Sequence, residues 1–187
     1  MRIIGGTLRG LKLAEIGAGD PAAHLRPTTD RVREAVFNLL MNRPDGNPVA
    51  GARVLDLFAG TGAMGLEAVS RGAAHATFVD DGAAARALIA QNIARTRSAS
   101  ATALIRRDAT RLGAMKGAPF TLVFLDPPYG LGLGEAAIGA ALEGGWIAPG
   151  ATILWEDNRP PAWPAPLTLR DQRRYGDSWI TLLTAPV

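Results

Sequence analysis

The sequence of 187 residues predicts one α/β domain built on a mainly parallel sheet, on the strength of three observations. Short apolar runs alternate with helical patterns from Arg53 onward, which is typical of βαβ units. The run from Val54 to Gly65 leads from an apolar strand into spaced glycines. The last segment contains two strand patterns with no helix between them, which indicates a closing antiparallel hairpin.

The amino-terminal segment predicts a small extension of this domain. Residues 1–13 alternate apolar and other residues around glycines, which favours a short β-hairpin. The hairpin is basic, since it contains no acid and three cations, which are Arg2, Arg9 and Lys12. Residues 14–25 are rich in Gly, Ala and Pro without periodicity and predict an exposed connection.

A helix is predicted next, over residues 30–41. Thr28-Thr29-Asp30 offers side chains that can cap its start. Apolar residues then recur with the period of a helix, at Val32, Ala35, Val36, Leu39 and Leu40. The opposite face carries Arg31, Glu34 and Asn38, and the pattern fits a solvated face as well as a face turned to a substrate.

The remaining elements complete a seven-stranded sheet. Strands are predicted at 53–57, 76–79, 103–106, 122–125 and 151–156, with helices at 63–71, 83–96 and 134–144. Gly72 is a candidate cap at the end of the first of these helices. The closing hairpin pairs 167–173 with 178–184 around Tyr175-Gly176-Asp177. This is the arrangement of a class I, Rossmann-like methyltransferase, whereas a dehydrogenase would continue with further βα units and usually a second domain.

Composition excludes several classes of site. The chain has no cysteine, so it cannot form disulfides, thiolate metal sites or a cysteine nucleophile. Its two histidines, His24 and His75, lie far apart beside no ligand cluster, and no metal is expected. The net charge is +3 and the basic residues are arginine except for Lys12 and Lys116. A GC-rich genome explains that choice better than nucleic-acid binding does, so charge alone does not make the protein a nucleic-acid binder.

No apolar run approaches the roughly 18 residues of a membrane span, and no signal-peptide pattern follows Met1. A cytoplasmic, monomeric protein without a membrane partner is therefore expected.

The glycine run predicts a cofactor loop. Gly60 to Gly65 matches G-x-G-x-x-G between a predicted strand and a predicted helix. The loop residues expected to contact the cofactor are Phe58, Gly60, Thr61, Gly62 and Gly65. Asp80 follows Gly60 by twenty residues, at the end of the next strand, where a carboxylate can accept both ribose hydroxyls.

Asp56 favours S-adenosylmethionine over a dinucleotide as the cofactor. A dinucleotide needs free helix-terminus amides for its pyrophosphate. S-adenosylmethionine carries an amino group and a positive sulfur instead, and an acidic floor suits these better. Asp108 ends the third strand, where it could bind the adenine amino group, cap the following turn, or do both.

Asp126-Pro127-Pro128-Tyr129 predicts the catalytic site. It ends the fourth strand, at the carboxyl edge where open α/β sheets bind ligands. An exocyclic amine is a poor nucleophile because its lone pair is delocalised into the ring. The Asp126 carboxylate and the Pro127 carbonyl can accept its two hydrogens and favour the developing positive charge, while Tyr129 can stack on the base.

These motifs resemble the RsmD family of bacterial 16S rRNA guanine-N2 methyltransferases over nearly the whole chain. The segments that carry the resemblance are Met1 to Gly6, Arg9-Gly10, Leu25 to Glu34, Phe37-Asn38, Asp56 to Ala63, Gly65 to Ala68 and Asp126 to Tyr129. The first and third are discriminating, since the other motifs occur in many amino-methyltransferases. One departure is Asp80-Asp81-Gly82, where the family commonly has a second acid after a spacer.

The resemblance implies methylation of the N2 amine of one guanine in 16S rRNA, in the small ribosomal subunit or an assembly intermediate. It implies a methyltransferase domain over 50–187, with residues 1–43 as an extension of the same unit. The extension would approach RNA through six cations, which are Arg2, Arg9, Lys12, Arg26, Arg31 and Arg33.

Three alternatives stay open on the sequence. The same Asp-Pro-Pro-Tyr logic serves a DNA amino-methyltransferase or one that acts on a glutamine side chain. A non-catalytic RNA-binding assembly factor could keep the fold as a scaffold. A dehydrogenase is disfavoured by the length of the chain.

Overall fold

A computed structural model of the protein describes residues 1–15 and 29–187. Its centre is a seven-stranded sheet with the order β3-β2-β1-β4-β5-β7-β6, in which only the pairings of β7 are antiparallel. The predicted mainly parallel sheet with a carboxyl-terminal hairpin is therefore confirmed. The strands are β1 Arg53–Leu57, β2 His75–Val79, β3 Thr102–Ile105, β4 Phe120–Leu125, β5 Ile147–Asp157, β6 Thr168–Tyr175 and β7 Ser178–Thr184.

In the described residues four α-helices accompany the sheet, and they are α1 Asp30–Met41, α2 Ala63–Ser70, α3 Ala83–Thr96 and α4 Leu133–Glu143. The first begins where the sequence predicts, because the Thr29 hydroxyl accepts a hydrogen bond from the Val32 N–H at 3.3 Å. After α2 the chain turns through Gly72, whose φ of +102° confirms the predicted cap.

The helices divide between the two faces of the sheet. The first three pack on one face, where Phe37 of α1 meets Phe124 of β4 edge-on with ring centroids 5.7 Å apart. The other face is covered by α4 through Ala137, Ile138 and Ala141. Both sides of the sheet are thus buried, as a parallel sheet requires.

The amino-terminal segment differs from the predicted β-hairpin. Its two arms pair through a single antiparallel bridge between Arg2 and Lys12, and the connection is a 3-10 turn at Gly6–Leu8. The Ile3 N–H donates to the Leu11 carbonyl at 2.9 Å, so the arms are in register without forming a strand. The segment bonds to α2 as well as to itself, and the N–H groups of Ile4 and Gly5 are used in those bonds to α2 and do not extend the pairing.

Those bonds converge on Glu67, which is completely buried in α2. Its carboxylate accepts the N–H groups of Ile4 and Gly5, each at 2.8 Å. Two guanidinium groups neutralise it, since Arg71 Nε lies 2.6 Å from Oε1 and Arg33 Nε lies 3.6 Å from Oε2. This cluster fixes the extension to the helix that follows the glycine loop.

The sequence-based prediction that Arg33 contacts RNA is wrong for this structure. Its side chain is completely buried and donates to Asp30 at 2.8 Å and to the backbone carbonyl of Arg2. The buried face of α1 consists of Arg33, Val36, Phe37 and Leu40, which is rotated by about one residue from the predicted apolar face. An arginine enters that face because Glu67 supplies a buried counter-charge.

No helix in the described ranges is long and apolar enough to cross a membrane.

Candidate active site

Both predicted motifs leave the same edge of the sheet. Strand β1 lies between β2 and β4, so the direction of strand order reverses there. Leu57 and Leu125, the last residues of β1 and β4, are paired. Phe58 and Asp126 therefore leave neighbouring strands, whose usual spacing is about 4.8 Å. This is the switch point at which open α/β sheets bind ligands.

The glycine loop is held tightly against β2. Gly62 adopts a φ of +75° and starts α2, a conformation that favours glycine. A Cβ on Gly65 would lie 2.4 Å from a ring carbon of Phe78. The third glycine of the motif is thus required for close packing of α2 on the sheet, as the spacing predicts.

Asp56 lies buried beneath this loop, with 3% of its surface exposed. Its Oδ2 accepts the Gly65 N–H at 2.9 Å. Burial raises the pKa of Asp56 to about 8, and the nearby Asp80 carboxylate acts in the same direction while the Gly65 N–H opposes it. A cation bound near the loop would stabilise the ionised form.

Asp80 ends β2 beside the loop and bridges two backbone groups. Its Oδ2 accepts the Gly60 N–H at 2.9 Å and its Oδ1 accepts the Gly82 N–H at 2.8 Å. Burial raises the pKa of Asp80 above its ordinary value in spite of these two hydrogen bonds. Each carboxylate oxygen keeps a second lone pair, so ribose hydroxyls could still donate to it.

The donor set fits S-adenosylmethionine better than a dinucleotide. The Gly65 N–H points at Asp56 and the Gly60 N–H points at Asp80, so two loop amides that could hold a phosphate already bind carboxylates. A pyrophosphate would also meet these two acids, Asp56 and Asp80, at close range. A sulfonium with an ammonium group instead supplies the positive charge that the acids lack.

Sequence analysis missed Asn92, which ties the loop to the amino-terminal segment. Asn92 is completely buried on α3. Its Nδ2 donates to the Thr61 carbonyl at 2.9 Å and to the Ala14 carbonyl at 3.2 Å. Its Oδ1 accepts the Ala14 N–H at 2.7 Å. A lone asparagine in a helix carries no pattern that reveals partners 31 and 78 residues away.

Asp108 has the local role that the sequence allowed for it. It precedes a 3-10 turn at Ala109–Arg111, and its Oδ1 accepts the Thr110 N–H at 2.8 Å and the Thr110 hydroxyl at 2.7 Å. These hydrogen bonds lower the pKa of Asp108. Capping is therefore confirmed, and contact with adenine stays a prediction.

The Asp-Pro-Pro-Tyr run forms the floor of the other half of the site. Asp126 and Tyr129 are half-buried, and Pro127 is buried between them. Burial raises the pKa of Tyr129 to about 12, the Asp126 carboxylate adds to this effect, and a hydrogen bond with Ser178 opposes it. The phenol thus stays neutral, which suits a ring that stacks on a base.

A cleft of about 800 Å³ opens beside Tyr129. It runs between the first turns of α1 and the turn of the β6–β7 hairpin, and the lining residues that matter here are Arg31, Val32, Tyr129, Glu156, Tyr175 and Ser178. Its volume falls in the range of small-molecule sites, about 300–1,000 Å³. The cleft is thus large enough for an unstacked base beside Tyr129 of the Asp-Pro-Pro-Tyr run.

Four of the six cations predicted to contact RNA are on the surface. Arg2, Arg9, Lys12 and Arg31 are exposed, and the last three form no ion pair with any residue of the described ranges. Arg33 is buried, as stated above. Arg26 lies outside the described residues.

Known proteins of similar sequence are named as methyltransferases of ribosomal RNA. The family model of conserved hypothetical protein 95 matches residues 1–184. The chain is 39% identical to ribosomal RNA small subunit methyltransferase D of Escherichia coli strain K12, over 94% of this chain and 85% of the relative. It is 34% identical to the protein of the same name from Haemophilus influenzae, over 94% and 89% of the two chains.

Solved structures give the same fold. The putative methyltransferase yhhF from Escherichia coli superposes with a TM-score of 0.82 and 36% identity, over 100% of this chain and 98% of the other. A hypothetical protein from Thermus thermophilus has a TM-score of 0.73 and 31% identity, over 100% of this chain and 99% of the other.

Proposed function

The chain belongs to the RsmD family of methyltransferases, whose family model matches residues 1–184, and from this premise we propose that it methylates the exocyclic N2 amine of a guanine in small-subunit ribosomal RNA. The observation that carries the proposal is the pairing of Leu57 with Leu125, because it sets the ends of the two motifs beside each other. Two relatives that match this chain over 85% and 89% of their own length are named ribosomal RNA small subunit methyltransferase D.

The protein is an S-adenosylmethionine-dependent enzyme, and the bound cofactor would supply an electrophilic methyl group. We propose that Asp56, Asp80 and the loop residues Phe58, Gly60, Thr61, Gly62 and Gly65 hold it, with Asp108 near the adenine. These two acids favour its positive charge, because burial raises their pKa values and a bound cation would offset the cost of ionising them. The loop itself is kept in place by Asn92 through the Thr61 carbonyl.

Asp126 and Pro127 prepare the amine. The Asp126 carboxylate and the Pro127 carbonyl accept its two N–H groups, so the nitrogen becomes pyramidal and its lone pair localises. The carboxylate also stabilises the positive charge that develops on this nitrogen. Because Asp126 is half-buried, its charge acts with less screening than it would in open water.

Tyr129 holds the base in the cleft. Stacking against the neutral phenol fixes the ring, and such positioning of reacting groups contributes up to roughly 7–11 kcal/mol in intramolecular analogues. The target guanine must first leave its stack, which costs a few kcal/mol. The exposed cations Arg2, Arg9, Lys12 and Arg31 would bind the surrounding phosphates.

The direct test is methyl transfer by the purified protein. Small subunits from cells that lack the modification are incubated with labelled S-adenosylmethionine, and nucleosides are resolved by mass spectrometry. We expect label in N2-methylguanosine alone. Label in methyladenosine or methylcytidine, or none in any nucleoside, would overturn the proposal.

The variant Asp126→Ala tests the chemistry. It should bind S-adenosylmethionine as the wild type does in calorimetry and lose at least about 100-fold in turnover, because a preorganised charge of this kind contributes 10²–10³. Asp45→Asn is the matched control, since Asp45 is an exposed acid that pairs with Arg43 and lies after α1. It should leave both properties unchanged.

A further inference from the structure

A carboxylate that lines the cleft, Glu156, lies on the strand next to the one that Asp126 follows. Leu125 of β4 pairs with Trp155 of β5, so the next residues, Asp126 and Glu156, continue neighbouring strands at the same edge. Side chains alternate along a strand, so both lie on the side of Phe124 and Leu154, which is the side that α1 covers. Glu156 lines the cleft together with Tyr129, and only 6% of its surface is exposed.

On the basis of the proposed function, we propose that Glu156 selects guanine by accepting the N1–H of the target base. Guanine presents two adjacent donor groups on one edge, the N2 amine and N1–H. Two carboxylates on adjacent strands match two adjacent donors. Asp126 takes a hydrogen of the amine that is methylated, and Glu156 takes the ring hydrogen beside it.

This arrangement rejects the other amino bases for a physical reason. In adenine and cytosine, the ring nitrogen beside the exocyclic amine carries a lone pair and no hydrogen. With that amine placed at Asp126, the lone pair would face the Glu156 carboxylate. Both groups would be acceptors, and the buried carboxylate would lose its solvation without gaining a hydrogen bond.

The charges in the cleft favour a base edge over a phosphate. Among the described residues, its lining contains two acids, Glu156 and Asp177, and one cation, Arg31. Glu156 also acts electrostatically on Tyr129, since its charge contributes to the raised pKa of that phenol. The carboxylate is thus close to the ring on which the base would stack.

The substrate 2-aminopurine provides the test, because it keeps the 2-amino group and lacks N1–H. Reconstituted small subunits carrying guanine or 2-aminopurine at the methylated position are compared by single-turnover transfer from labelled S-adenosylmethionine. The wild-type protein should prefer guanine by at least about 100-fold in kcat/KM, because sites built to bind an N–H strongly reject analogues without it.

The variant Glu156→Gln assigns that preference to the residue. A glutamine amide can accept from N1–H or donate to a bare ring nitrogen, so the preference for guanine should fall at least tenfold. Glu143→Gln makes the same chemical change on the exposed end of α4 and should keep the wild-type ratio. Calorimetry with S-adenosylmethionine and thermal unfolding establish that the Glu156→Gln protein is folded.

The outcomes separate this inference from the proposed function. Transfer to guanine with an unchanged preference in Glu156→Gln overturns the inference alone. Equal transfer to guanine and to 2-aminopurine by the wild type also overturns the inference. This comparison needs only the wild-type protein, so it stands even if Glu156→Gln fails to fold. Binding of S-adenosylmethionine without transfer to any rRNA guanine overturns the proposed function, and the inference with it.

Discussion

Two buried carboxylates flank the glycine loop, and they are satisfied in opposite ways. Glu67 accepts two backbone N–H groups and lies against the guanidinium groups of Arg33 and Arg71. Asp56 accepts one N–H, from Gly65, and the charge that acts on it most is another acid, Asp80. Among the residues that the structure describes, no cation contributes to its pKa.

The difference separates a structural acid from an acid that awaits a ligand. A buried charge persists when it is paired and hydrogen-bonded. Glu67 meets this condition within the protein, and it joins the amino-terminal extension to α2. Asp56 does not meet this condition within the described residues, so ionising its buried carboxyl costs free energy that a cationic ligand can offset. This contrast supports the proposal that the cofactor binds at the loop above Asp56.

The largest expected effect is on the structural acid. Glu67→Gln leaves Arg71 without its buried counter-charge and leaves Arg33 paired with Asp30, so the free energy of unfolding should fall by about 3–5 kcal/mol. Urea unfolding measures it, with Glu34→Gln as the control because Glu34 is an exposed acid on α1. A loss below about 1 kcal/mol in Glu67→Gln would contradict the structural role.

Substitution of Asp56, unlike that of Glu67, should change how the free energy of unfolding depends on pH. Between its unfolded pKa of 3.8 and its folded pKa of about 8, Asp56 holds a proton only in the folded state. Stability contributed by that proton is complete below the lower pKa and is lost as the pH rises through the higher one. The free energy of unfolding of the wild type should therefore fall between about pH 5.5 and about pH 8. In Asp56→Asn this fall should be smaller by about 1–3 kcal/mol.

The comparison is sharpened by repeating the measurement with S-adenosylmethionine. A cationic ligand favours ionised Asp56, so wild-type affinity should rise with pH up to about pH 8. Affinity in Asp56→Asn should be nearly independent of pH and about tenfold weaker at that pH, which corresponds to about 1.4 kcal/mol. Parallel pH profiles for the two proteins would show that Asp56 has no electrostatic effect on the cofactor.

The smallest effects concern the exposed cations, which contrast with buried Arg33. Arg9→Gln and Lys12→Gln should each weaken binding to small subunits by about two- to fivefold and reduce the slope of log affinity against log salt by about one. Filter binding at several salt concentrations measures both quantities. Arg95→Gln, at an exposed position on α3, is the control. An equal change in affinity and salt dependence for Arg95→Gln would contradict the proposal that the cations of the amino-terminal extension contact the RNA.

Local signals predicted the elements of the fold well. Helix α1 spans Asp30–Met41 and β1 spans Arg53–Leu57, both as predicted, because a threonine cap and an apolar run bounded by polar residues act within a few residues. The mainly parallel sheet with its closing hairpin and the two motifs at the sheet edge also follow from local pattern combined with parallel topology.

Side-chain roles were less accessible. The family resemblance placed Arg33 among the cations that would approach RNA, yet it is buried because Glu67 lies opposite it. The amino-terminal segment alternates like a strand, yet its amides bind Glu67 and its arms share one bridge. Asn92 was missed because its partners are remote in sequence.

The sequence by itself determined the parallel sheet, the glycine loop and the Asp-Pro-Pro-Tyr motif, because these depend on periodicity and on residue types a few positions apart. The tertiary structure decided which charges face each other. It gave Glu67 two arginines, left Asp56 under the loop with another acid, and set Glu156 beside Asp126. The energy of a buried charge depends on its neighbours in space, and no local pattern specifies them.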